Sequence, residues 1–246
     1  MVANRRALTW LSWTLVVVVV ISAAVTLLLT SGFLLTPFDI PDLVDRLVAI
    51  RTDDERAFPF VIVGSLASLS VFLIGATLGV LLRAWAAPTS ARDVMTVLLV
   101  SGGVIGIGAQ LMNIGAGDAA RPFLCDCGYR AEEMIGLDRA LSVAWSVINW
   151  MAMGAITLVA VGVALAGRVV QVSGTWRMVS YAVAAGVLVA VAIRVAASLV
   201  FIDAFDPYQV SDVIIAIASG ILVPVWAIML ARGVSRPEAE PLTAAV

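Results

Sequence analysis

Residues 8–29 read LTWLSWTLVVVVVISAAVTLLL, a run with no charged side chain that follows Arg5 and Arg6. A bilayer core about 30 Å thick is crossed by about 20 helical residues, so this run alone is long enough to span it. Five further runs qualify, at 58–82, 94–114, 141–166, 178–201 and 213–231. Their many valines and glycines would weaken a helix in water. In hydrocarbon a spanning segment must satisfy its own backbone hydrogen bonds, and helix is then the remaining solution. The reading is all-α: a polytopic bundle of six transmembrane helices forming a single membrane domain over 1–246. The composition, 62% apolar and 13% charged, points the same way, because a soluble domain carries roughly half and a quarter. The basic start resembles a secretory signal, yet the first apolar run is too long and lacks a small-residue cleavage pattern. It is expected to stay as an anchor.

Charge orients the bundle. Arg5, Arg6, Arg83, Arg92, Arg168, Arg177, Arg232 and Arg236 fall at alternate span ends, all on one side. The opposite connections hold fourteen of the seventeen acids together with six arginines. Arginine is retained in short cytoplasmic segments, so the arginine-rich side is expected to be cytoplasmic, with both termini inside. Trp10, Trp85 and Trp176 sit at the same ends, where an indole ring favours the headgroup level. A bacterial inner membrane is the expected location. In the first outer connection, 41–51 begins with Pro41 and carries apolar residues at helical spacing. A short amphipathic helix is expected there, either a lid or an interfacial tie between the first two spans.

Several chemistries are excluded by what is missing. The chain has no histidine and no lysine. That removes Ser-His and Ser-Lys nucleophiles, Schiff-base lysines, histidine-ligated haem and HExxH zinc. No carboxylate lies within a span, which argues against an aspartyl dyad or a buried acidic proton relay. No basic tail suits nucleic acid. Cys125 and Cys127 lie in the third-to-fourth connection. Their Cys-X-Cys spacing admits a strained local disulfide, an intermolecular one, or thiol exchange, and two thiolates alone make an incomplete metal site. No cofactor and no metal site are expected.

One residue is costly. Arg194 is the only charge deep in a span, and such a charge is a functional-site candidate by default. Measured by helical rise from the nearest outer charges, Gln110, Asn149, Ser219 and Ser65 fall roughly 10 to 15 Å deep, at one level with it. Ser142, Ser146 and Asn149 share one helical face, as do Gly102, Gly106, Gln110 and Asn113, and both stripes are expected to face inward. The candidate ligand-binding set is therefore Arg194, Asn149, Gln110, Asn113, Ser146, Ser219 and Ser65. Arg194 either clamps the bundle by bonding the Asn149 and Gln110 carbonyls or receives a carboxylate or phosphate. Pro224 is expected to kink the last span just below Ser219 and Gly220.

In layout the chain resembles the small six-helix bacterial membrane proteins classed as domains of unknown function, a likeness that transfers no functional residue. The leading expectation is a non-catalytic protein that binds a small anionic or lipidic ligand near Arg194 or serves as an accessory subunit of a membrane partner. A small-molecule transporter is the alternative, and a thiol-redox enzyme using Cys125 and Cys127 comes third.

Overall fold

The computed structural model describes residues 2–30, 43–120, 131–200, 210–211 and 214–235. Six helices dominate it: α1 (Val2–Thr30), α2 (Leu43–Arg83), α3 (Ser90–Ala120), α4 (Ala131–Val169), α5 (Gly174–Val200) and α6 (Ile214–Ser235). Each contains a stretch long and apolar enough to cross a membrane, within a few residues of the runs read from the sequence. Consecutive helices pack side by side, and α1 meets α6, so the six close into a ring.

The helix expected over 41–51 does not stand apart. From Leu43 onward the chain is one helix that passes through Pro59 to Arg83, while Pro41 and Asp42 lie outside the described residues. Proline withholds a single N–H, and the alanine, leucine, arginine and glutamate around it are good helix formers, so the helix continues.

Two turns at the arginine-rich end are well specified. The α2–α3 turn holds Pro88, and the Arg92 N–H reaches the Thr89 hydroxyl at 3.4 Å to cap α3. Arg83 pairs with Asp93 at 2.9 Å across it, an exposed bridge of small value. Ahead of α5, the Ser173 hydroxyl accepts the Trp176 N–H at 3.1 Å.

The main buried cluster lies toward this same end. Leu8 and Leu15 of α1, Leu78 and Leu82 of α2, Met95 and Leu99 of α3, Val163 of α4, Trp176 of α5, and Trp226 and Leu230 of α6 all belong to it. Trp176 corrects the headgroup-anchor expectation: it is fully buried, stacked on Trp226 with centroids 5.5 Å apart, its Nε1 donating to the Trp226 carbonyl at 3.2 Å. A buried indole needs an acceptor, and α6 supplies one. Trp10 is 74% exposed, as expected of an anchor, and Trp85 lies 5.8 Å beneath the Arg5 guanidinium.

Candidate functional site

Exposure patterns fix which way each candidate faces. On α3, Val97, Val104 and Leu111 are exposed at seven-residue spacing, so the opposite stripe of Gly106, Gln110 and Asn113 turns into the ring. Gln110 and Asn113 are half-buried there. On α5 the exposed large apolar residues are Met178, Tyr181, Leu188 and Val189, which places Arg194 on the inward side. On α6, Ile217 and Ile221 point outward. Ala218 packs on Gly186 of α5 and Gly220 on Ala23 of α1, so Ser219 between them faces the interior.

The remaining candidates sit elsewhere. Asn149 precedes Gly167 by eighteen residues, five turns at about 3.6 residues each. Gly167 abuts Ser180, so Asn149 faces the α4–α5 seam. Ser65 is buried and lies two turns before Phe72, which meets Gly103 and Gly106 of α3; it occupies the α2–α3 seam. Ser146 is exposed on the outer face of α4, where it borders an open cleft of about 620 Å³ with Val143, Val147, Trp150 and Met151. It therefore does not share an inward stripe with Asn149. Cys125 and Cys127 lie outside the described residues.

The expected single polar layer is staggered. Because Gly186 lies beside Ala218, Arg194 stands eight residues, about 12 Å, farther toward the acidic end than Ala218. Ser219 sits one residue beyond Ala218 in the other direction. The reason is visible at Ser211, which is fully buried and donates to the Ala190 carbonyl at 2.9 Å. The α6 chain thus enters alongside Ala190, ten residues before α5 ends at Val200. Residue counts along α5 and α6 therefore do not measure depth from a common level.

Gln110 and Asn149 do come from adjoining turns, since Gly108 lies beside the Met151 methyl. The Arg194 Nε is buried with no acceptor, although the residue is engaged in another interaction and is not a lone charge. Its carbonyl accepts the Ser198 hydroxyl at 2.9 Å.

Pro224 acts through a π-helical turn over Ala218–Leu222. The Val223 N–H bonds the Ala218 carbonyl, five residues back. Such turns recur at functional positions and at helix bends.

Two polar contacts went unread in the sequence. The hydroxyls of Ser22 and Ser68 meet at 3.0 Å between α1 and α2, and the Trp226 indole donates to Ser180 at 2.8 Å. A serine in a lipid-spanning run was the available signal, but only the fold shows which neighbour it meets. No group of three or more metal-ligating side chains occurs among the described residues. The chain matches no known family, no curated protein and no solved structure.

Proposed function

We propose that this is a non-catalytic multi-pass protein of a bacterial inner membrane, both termini cytoplasmic, that binds a small anionic or lipidic ligand inside the acidic half of the ring. The observation that carries the reading is the division of the ring. Its arginine-rich half is filled by apolar side chains around the Trp176–Trp226 pair, whereas Arg194, Gln110, Asn113 and Ser219 turn inward beyond that fill. A guanidinium presents a planar fork that suits carboxylate or phosphate, and Gln110, Asn113 and Ser219 add neutral amides and a hydroxyl to the inward-facing side chains of the same ring. The orientation rests on the arginine bias between the two ends.

The same division weighs against the transporter alternative, because a conducting path would have to pass the apolar fill. An accessory role beside a membrane partner is compatible with this site. A thiol-redox function rests on Cys125 and Cys127 alone. The test is a thermal-shift screen of carboxylates, phosphates and anionic lipids on the detergent-solubilised protein and on Arg194→Gln. A ligand that raises the melting temperature of the parent and not of the variant supports the reading; an identical response from both sinks it.

A further inference from the structure

The π-helical turn in α6 changes what the interior offers to a ligand. In a regular helix the Ser219 carbonyl would accept the Val223 N–H, four residues on. Here that N–H goes to Ala218 instead. The five-residue register passes the Ser219 carbonyl to position 224, where proline has no N–H to give. The Ser219 carbonyl thus loses both of its backbone donors in the middle of a membrane helix. The Ser219 hydroxyl spends its own proton on the Ile215 carbonyl at 2.7 Å, so its oxygen presents only lone pairs. Two oxygens of one residue, both acceptors, lie on the face that turns into the ring between Gly186 and Ala23.

Buried acceptors want donors, and a backbone carbonyl left unmatched in hydrocarbon is costly. A site made only of neutral acceptors selects a group that only donates, of which a protonated amine is the clearest case. Arg194 stands farther toward the acidic end, and a helical side chain leans toward the N-terminus of its own helix, here toward the turn that holds Ser219. A donor-only group and an acceptor-only group therefore face the same interior, separated along the axis.

We propose that the ligand of this site is a zwitterion whose anionic group meets Arg194 and whose ammonium, several bonds away, is held by the Ser219 carbonyl and hydroxyl. This rests on the ligand reading above for its anionic half, while its cationic half stands on the π-helical turn alone. Extra charge complementarity fixes the orientation of the molecule, the anion toward the acidic end and the amine toward the apolar fill.

Three probes of equal carbon count separate the parts: hexanoate, hexylamine and 6-aminohexanoate, each titrated by thermal shift against the full-length protein, Arg194→Gln and Pro224→Ala. The alanine restores an N–H at 224 and removes a helix-disfavouring residue, so folding is expected to survive. The expected result is a larger shift from 6-aminohexanoate than from either single-charge probe in the parent. Pro224→Ala should cut the 6-aminohexanoate shift to that of hexanoate and abolish any hexylamine shift, and Arg194→Gln should remove the hexanoate shift and cut the 6-aminohexanoate shift to that of hexylamine. Equal shifts from hexanoate and 6-aminohexanoate would overturn the zwitterion and leave the anion reading standing. A hexylamine shift that Pro224→Ala abolishes, with no response to hexanoate, would keep the amine site and overturn the anion reading. No shift from any probe overturns both. An independent readout is the 13C resonance of the labelled Ser219 carbonyl, which should move on hexylamine addition in the parent and stay fixed in Pro224→Ala.

Discussion

The Trp226 indole N–H donates to the Ser180 hydroxyl at 2.8 Å, and that hydroxyl passes its own proton to the Trp176 carbonyl at 2.9 Å. With the Trp176 Nε1 bonded to the Trp226 carbonyl, the two buried indoles and one serine form a network that ties α5 to α6. Ser180→Ala keeps the Cβ that packs on Gly167 and deletes only the hydroxyl. It leaves the Trp226 N–H buried without an acceptor, which should cost about 1–3 kcal/mol. Thermal unfolding in detergent, followed by tryptophan fluorescence, checks this; an unchanged midpoint would show that the network contributes nothing.

Close helix approach at α3 makes a second prediction. A Cβ on Gly103 would come within 2.6 Å of the Ala76 Cβ and 2.8 Å of the Phe72 carbonyl oxygen, and backbone cannot step aside. Gly103→Ala should destabilise by about 1–3 kcal/mol through overpacking. Gly75 is the control, because a Cβ there meets nothing within 4 Å. If both alanines behave alike, α2 and α3 do not pack as described.

Orientation is tested from outside the cell. Reporters fused to both termini should register the cytoplasm, and Cys125, after mild reduction, should react with a membrane-impermeant thiol reagent. The warrant is the eight arginines clustered at one set of helix ends. The reverse pattern would place the polar half of the ring on the cytoplasmic side and overturn the proposed location of the site.

Replacing both cysteines, Cys125→Ser with Cys127→Ser, should leave abundance and melting temperature largely unchanged. A ring closed over one intervening residue removes little entropy from the unfolded chain. A large fall in either quantity would assign the pair a structural bridge or metal.

The helices were legible because a membrane leaves few choices: run length sets the spans and backbone satisfaction makes them helical. Facing was legible where small and polar residues recur at one angle, as with Gly106, Gln110 and Asn113. It failed for Ser146, which lies 60° around α4 from Asn149 by helical geometry and falls on the exposed side. Depth was the weakest inference. It needs the register between helices, and Ser211 against Ala190 sets that register through a buried contact which no spacing within either helix encodes. Trp176 was misjudged for a related reason, since an indole at a span end suits the headgroup level or a neighbouring carbonyl, and the acceptor on Trp226 is fifty residues away.

Arg194 decides between support and binding. Arg194→Gln removes the charge and keeps hydrogen-bond donors, and replacing a buried charge with a neutral group is often neutral or stabilising when no paired charge is stranded. If Arg194 is engaged by an acid, the variant strands that partner, and stability should fall by about 3–5 kcal/mol. If it serves a ligand, the bare protein should melt within about 1 kcal/mol of the parent. The difference then emerges only with ligand present. At a free concentration one hundred times the Kd, binding adds about 2.7 kcal/mol to the parent, and this increment should vanish in the variant. Arg194→Glu sharpens the comparison, because a carboxylate at the same inward position repels an anion while leaving a charge of similar burial cost. A ligand increment that survives in Arg194→Glu would mean that the anion is held elsewhere, and the guanidinium would then be a strut of the α5 face.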